Sequence, residues 1–284
     1  MTMSSADFTY IADLVRRGSA IVLEPGKEYL VESRLLPVAR DAGTDSIAGL
    51  VQQLRRVPED DLHDKVVEAM TTNETSFFRD VHPFTALADT VLPEVADAAR
   101  GTHRSINVWC AAASSGQEPY SVAMLLDELL GGEPGWQLRV LASDLSQRML
   151  DRTQLGVYSQ LEVNRGLPVQ RLLRHFERVG HQWRAKENLR AMIRTQAINL
   201  DGPWPALPTM DVVLLRNILI YFDVPTKKRV LAKVREVLRP DGYLFLGGAE
   251  TTLGLDDSYE RVQVGRAPAY RLRADLASAT RSTA

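Results

Sequence analysis

The chain has 284 residues, 45% hydrophobic and 25% charged, which is enough for one large or two modest globular domains that need no staples. A formal net charge of -2 argues against a general polyanion binder, and the single cysteine, Cys110, excludes an internal disulfide and a multi-cysteine metal site. His63, His82, His103, His175 and His181 show no metal-ligand spacing, no apolar run reaches bilayer length, and no leader-like stretch is evident. The expectation is a cytoplasmic protein without a metal.

In chain order, Phe8, Ile11, Ala12, Leu14 and Val15 recur at helical spacing and stop at Gly18. Stretches 26–36, 46–57 and 60–70 follow, divided at Pro25, Gly43 and Pro58, which predicts a small helical domain over residues 1–70. Lys27, Arg34 and Arg40 form a basic stripe, read as a solvated face in preference to a surface for an acidic partner. The texture then changes over residues 71–80, a polar run followed by Phe77, Phe78 and Arg79. On its residues alone this segment reads as a capped helix start, with Thr72 or Asn73 as N-cap and both rings in a core.

The stretch that organises the rest is Asn107-Val-Trp-Cys-Ala-Ala-Ala-Ser-Ser-Gly-Gln-Glu-Pro-Tyr-Ser121. A β-prone run, 106–110, ends in small residues and a glycine, after which Glu118-Pro119 opens an amphipathic stretch through Leu130. Strand, tight turn and helix start in this order let a ligand lie against the backbone, with unpaired N–H groups facing acceptor atoms. A nucleotide-like cofactor suits such a turn, and so does plain close packing of strand on helix. Residues 137–142 predict a second strand with Asp144 just beyond its end, where it can accept from ribose hydroxyls or cap the next helix.

From 158 to 196 the βα rhythm breaks. Residues 167–176 look helical, and 176–180, 182–186 and 191–196 alternate in short runs, which predicts an inserted antiparallel β-subdomain. Residues 210–215 have the near-continuous apolar character of a buried parallel strand, with Arg216 and Asn217 at its carboxyl end. A helix over 226–238, a turn at 239–242, a strand over 243–246 and the loop Gly247-Gly248-Ala249-Glu250 follow. Strands at 259–265 and 269–272 close the domain, and residues 274–284 read as a flexible tail.

The ordered combination TTNETSFFRD, WCAAASSGQEPYS, ASDLS, AINL, LLRNILIYFD and PDGYLFLGGAE resembles the CheR family of chemotaxis receptor methyltransferases. The resemblance runs from the GKEYLVESRL stretch to about Leu272. It implies an α/β fold class, with a small N-terminal helical domain (1–70), a cofactor-contacting segment (71–80), and a Rossmann-like S-adenosylmethionine-dependent methyltransferase domain (81–273). The antiparallel β-subdomain (158–196) is inserted in the latter. The activity implied is esterification of glutamate side chains on chemoreceptors, using S-adenosylmethionine and leaving S-adenosylhomocysteine. By motif match, Asn73, Thr75 and Arg79 contact the cofactor, Glu118 and Asp144 hold its polar and ribose groups, and Asn199, Leu200, Arg216 and Asn217 complete the pocket. Tyr221 lies near the transferred methyl, and Arg100 stands as candidate for the family's substrate arginine.

That chemistry requires no general base, because a glutamate carboxylate is already ionised near neutral pH. Relatives commonly carry Gly-His-Ser-Glu where this chain has GGAE at 247–250, which raises the alternative of a catalytically silent S-adenosylmethionine-binding regulatory module. The turn at Val179-Gly180-His181 is shorter than in relatives that grip a receptor's C-terminal tether, so the expectation is a tether-independent, monomeric enzyme acting on chemoreceptor cytoplasmic domains. No nucleic acid or membrane insertion is expected.

Overall fold

The computed structural model describes residues 3–58 and 60–273; the expected tail at 274–284 lies outside the described residues. The chain divides into two units, one running to Thr72 and including Tyr221–Lys227, the other spanning Asn73–Ile220 and the rest.

The first unit is helical. Helix α1 (Ser5–Ser19) starts where the Ser4 side chain accepts from Asp7 N, buries Phe8, Ile11, Leu14 and Val15, and ends with Ala20 in the left-handed region. It does not stop at Gly18. That glycine is a packing position, since a Cβ there would lie 2.7 Å from Val67 Cγ2. Helix α2 (Glu28–Asp41) runs beyond the expected Leu36 and through Pro37, because Val31, Leu35 and Ala39 continue one buried face. Helices α3 (Ile47–Leu54) and α4 (Asp61–Met70) are capped by Ser46 and Asp60. Arg34, from the expected basic stripe, donates to the carbonyls of Met70 and Thr71 at 2.7 and 2.9 Å and so holds the end of α4. Tyr221–Lys227 belongs with these helices through Val22 N donating to Tyr221 O (2.9 Å) and an Arg16–Asp223 ion pair (2.6 Å).

The second unit is a mostly parallel α/β sheet. Its helices are α5 (His82–Ala86), a π turn at Leu87–Val91, α6 (Leu92–Arg100), α7 (Gln117–Leu130), α8 (Gln147–Leu155), α9 (Gln160–Asn164), α10 (Val169–His175) and α11 (Glu187–Met192). Helix α12 (Val224–Val237) begins within the segment assigned to the first unit. Strands β1 (Ser105–Ala111), β2 (Gln137–Asp144), β6 (Ile193–Ala197), β7 (Met210–Leu215), β8 (Leu238–Leu246), β9 (Tyr259–Val264) and β10 (Ala267–Leu272) form a sheet of order β6-β2-β1-β7-β8-β10-β9. The first five run parallel, with Cys110 of β1 opposite Ala142 of β2 and Leu214 of β7, while β10 and β9 add an antiparallel edge. Between β1 and β7 the strand order reverses, which is where open α/β sheets leave a crevice at their carboxyl ends.

Strands β3 (Val157–Ser159), β4 (Phe176–Val179) and β5 (Gln182–Ala185) make a separate antiparallel sheet of order β3-β5-β4. The expected insertion is present with one correction. Residues 193–197 pair parallel with β2 in the main sheet and are not part of the small one. Their partial alternation is that of an exposed edge strand. Phe77, Tyr120, Tyr158 and Phe176 pack edge-on around one another and join the small sheet to the main core.

Candidate functional site

The carboxyl end of β1 leads into a turn whose backbone is unusual: Ala112 (φ 59), Ser114 (φ 50) and Gly116 (φ 94) are all left-handed. Non-glycine residues pay about 1 kcal/mol or more for this conformation, and such strain concentrates at ligand-binding turns. The turn is held from every side. Ser114 N donates to Asp144 Oδ2 at 2.8 Å, Ser114 Oγ to Asn73 O at 2.9 Å, and Ala113 N to Ser143 O at 2.8 Å. Beneath it, the Thr153 hydroxyl donates to Ser114 O (3.1 Å) and the Tyr158 hydroxyl, from the small sheet, to Ser115 O (2.9 Å). Gly116 is required there, because a Cβ would lie 2.7 Å from Thr153 Oγ1 and 2.8 Å from Tyr158 Oη.

Asp144 ends β2 beside this turn and is buried; its Oδ1 also accepts from Ser146 N (2.9 Å), so the carboxylate is fixed in direction. An ionised carboxylate so placed is an acceptor beside the turn. Asn199 and Leu200 follow β6, whose end lies next to that of β2 through Ile198 N donating to Asp144 O (3.1 Å). The Asn199 side chain accepts from Asp201 N (3.1 Å), forming a tight turn.

Residues 73–80 do not start a helix. The chain is extended to Ser76 and then turns, with Phe78 at φ 49 and Asp80 at φ 68. Phe77 and Phe78 are buried as expected, and Phe78 N donates to Ser121 Oγ of α7 (3.0 Å). Arg79 donates to Glu74 O (2.9 Å), closing the segment on itself. Thr75 is half-buried on the same stretch.

Glu118, in the first turn of α7, is buried beside Arg216 at the end of β7. Arg216 Nη1 donates to Glu118 Oε2 at 2.7 Å, while Nη2 donates to Asp80 Oδ2 at 2.7 Å and to Arg79 O at 2.9 Å. Burial pushes the Glu118 carboxyl up, and the guanidinium opposes that rise. Burial likewise pushes the Cys110 thiol well up, so it stays protonated under the site.

Asn217 (φ 59) is clasped by a residue whose contribution sequence reading missed. Glu250 Oε2 accepts from Asn217 N (2.8 Å) and Gly247 N (2.6 Å), and Oε1 from Ile220 N (3.2 Å). The carboxylate thus ties the loop after β7 to the loop after β8. Gly247 leaves it room, since a Cβ there would lie 2.7 Å from both Glu250 Oε2 and Asn217 Nδ2. An acid three residues after a glycine at a strand end was the available signal. Of the GGAE departure, Gly248 points its missing side chain into open space, and the clasp survives.

The structure therefore places Glu118, Asp144, Asn199, Leu200, Arg216 and Asn217 at or just after adjoining strand ends, with Asn73 and Arg79 bonded to them through Ser114 and Arg216 and Thr75 between those two in the chain. Arg100 is a correction. It ends α6 at the amino end of β1, stacked over Trp136 and paired with Glu133 at 2.9 Å. A seven-residue strand, roughly 20 Å long, separates it from the carboxyl ends. Tyr221 closes the 3-10 turn Leu219–Tyr221, four residues after Asn217, in the segment that packs with the helical unit.

These residues fit S-adenosylmethionine. Glu118 makes its hydrogen bond through Oε2, leaving Oε1 for a donor such as an ammonium, and Asp144 lies beside the turn as an acceptor.

Comparison with known proteins agrees. Residues 6–71 match the model described as CheR methyltransferase, all-alpha domain, and residues 73–267 match CheR methyltransferase, SAM binding domain. Chemotaxis protein methyltransferase Cher2 of Pseudomonas putida is 38% identical, over 96% of this chain and 100% of its own length. Chemotaxis protein methyltransferase 1 of Pseudomonas aeruginosa is 38% identical over the same shares, and chemotaxis protein methyltransferase 1 of Vibrio cholerae 37% identical over 96% of this chain and 99% of its own. With both domains matched, the chain belongs to the CheR methyltransferase family.

Proposed function

We propose that this protein methylates glutamate side chains on chemoreceptor cytoplasmic domains, giving γ-methyl esters in chemotaxis adaptation. The observation that carries this reading is the full-length match to proteins named chemotaxis protein methyltransferase. The bound cofactor supplies an electrophilic methyl on a sulfonium; everything else falls to the chain's own residues. Asp144 and the turn after β1 orient the nucleoside, Glu118 holds the ammonium end, and Asn73, Thr75, Arg79, Asn199, Leu200 and Asn217 line the remainder. Tyr221 orients the incoming carboxylate through its hydroxyl. The nucleophile arrives ionised, so no residue need remove a proton, and in-line positioning with water excluded lowers the barrier. The two-residue hairpin Gly180-His181, closed by the Val179–Gln182 pair, supports a tether-independent enzyme. No helix among the described residues is long and apolar enough to cross a membrane; under this proposal a monomeric enzyme meets the receptors' cytoplasmic domains from the cytoplasm.

The test is transfer of labelled methyl from S-adenosylmethionine to purified receptor cytoplasmic domains, with and without their C-terminal tether. Label released as methanol by mild base, lost when the modified glutamates are replaced by alanine and unaffected by tether removal, is the expected result. Base-stable label, or a folded, cofactor-binding protein that labels no receptor, would overturn it.

A further inference from the structure

Arg216 was expected to line the cofactor pocket, and its side chain is turned toward acidic groups of the protein itself. Its side chain is 1% exposed, it lies over the Phe84 ring at 5.4 Å, and its Nε is buried without a hydrogen bond. Nη1 is committed to Glu118, and both N–H groups of Nη2 to Asp80 and Arg79 O. Three of its five N–H groups are thus committed to protein acceptors, and with so little surface the guanidinium acts first on them.

We propose that Arg216 is a positioning residue, the buried counter-ion that keeps Glu118 ionised and aimed so that its free oxygen receives the cofactor's ammonium group. This rests on the S-adenosylmethionine site described above and names what sets its charge. A carboxylate buried at the first turn of α7 would otherwise neutralise itself by taking up a proton, and a neutral acid holds an ammonium poorly. Arg216 faces two carboxylates, Glu118 and the half-exposed Asp80, so the three groups carry one surplus negative charge. That surplus is what a cationic ligand group completes. The other charged or titratable groups acting on Glu118 are Arg79 from the preceding segment, which favours its ionised form, Glu250 beyond β8, which opposes it, and Cys110 beneath it in β1. Through Asp80 and Arg79 O the same guanidinium ties residues 79–80 to the acid, so the cofactor-contacting segment and the ammonium site are set together.

The test is calorimetric titration with S-adenosylhomocysteine, which carries the same ammonium group, from about pH 6 to pH 8. Wild-type affinity should vary little. Arg216→Met should bind at least about tenfold more weakly at the acid end and recover up to about tenfold per pH unit as Glu118 ionises, with proton release visible as a dependence of the heat on buffer ionisation enthalpy. Arg216→Lys should restore a flatter profile, and Glu118→Gln should be weak and flat in either background. Loss of affinity in Arg216→Met by the same factor at every pH would overturn the proposal. Arg216→Lys gives a check that does not depend on Arg216→Met folding, because it keeps the buried cation and loses only the fork that aims Glu118. Its affinity should fall several-fold with little dependence on pH, and a pH dependence as steep as that expected of Arg216→Met overturns the proposal. Failure of the wild type to bind S-adenosylhomocysteine would instead overturn the cofactor reading, and this one with it.

Discussion

Replacing Gly116 by alanine separates two costs that a turn glycine can hide. At φ 94 and ψ 2 any L-residue is strained, by about 1–2 kcal/mol. The added methyl would also meet Thr153 Oγ1 at 2.7 Å, Tyr158 Oη at 2.8 Å and Thr153 Cγ2 at 2.9 Å, all well inside van der Waals contact. Both neighbours are buried and hold the turn's carbonyls, so making room costs about 1–3 kcal/mol of overpacking and weakens two hydrogen bonds worth about 1 kcal/mol each. The expected loss is about 2–7 kcal/mol, the upper end applying if both hydrogen bonds are lost. Gly180→Ala supplies the comparison, because Gly180 has φ +60 with nothing within 4 Å and should lose only the strain. Urea unfolding of the two variants, with S-adenosylhomocysteine titration of whatever folds, reads both numbers. If Gly116→Ala is no worse than Gly180→Ala and binds normally, the turn is not braced by Thr153 and Tyr158 as described.

Asp144→Ala should weaken S-adenosylhomocysteine binding by about 1–3 kcal/mol in calorimetry, through lost ribose partners and a loosened turn. Glu250→Gln replaces two charge-assisted acceptors with one neutral carbonyl; methyl-transfer turnover should fall more than cofactor affinity, which kinetic parameters against calorimetric affinity would resolve. Arg100→Ala should leave methyl transfer unchanged and cost less than about 1 kcal/mol in urea unfolding, because its pairing is at the surface. The Glu128 carboxyl is partly desolvated, but hydrogen bonds with Arg171 (2.8 Å) and His175 (3.1 Å) prevail and hold it below its ordinary value of 4.5. Its contribution is therefore full above pH 4.5 and is lost as pH falls through the lower folded value, so urea midpoints should drop on acidification less steeply in Glu128→Gln than in wild type.

Much of the architecture was legible because burial writes itself into residue pattern. Residues 210–215 are apolar except for Asp211, and all six are buried in β7, at the bounds expected. The apolar faces of the first four helices were equally plain, yet their ends moved. Gly18 looked like a stop signal and is a packing position, while Ala20, a poor left-handed residue on intrinsic grounds, takes the cap. Residues 71–80 show the limit more sharply. Two adjacent rings signal a core anchor, and they are one, but the segment turns through positive φ at Phe78 and Asp80, which no side-chain preference announces. Strand β6 was misassigned because an edge strand of a parallel sheet alternates much as an antiparallel one does.

At the site, what sequence conveys is where a Cα lies and not which way its side chain is committed. The rule that α/β sheets bind at their carboxyl ends located Asp144 and Arg216, and applied strictly it would have excluded Arg100, which precedes β1 and so must sit at the opposite end. It could not show that Arg216 turns inward to partners 98 and 136 positions away in the chain. Nor could it show that Glu250 reaches back across 33 positions to the amide of Asn217. Arg216 is a buried charge and Glu250 a part-buried one, and the position of each makes sense only with its partners in place. The ligand-facing groups of this site are therefore read from topology, whereas the groups that fix their charge and direction emerge only once distant segments have been folded onto one another.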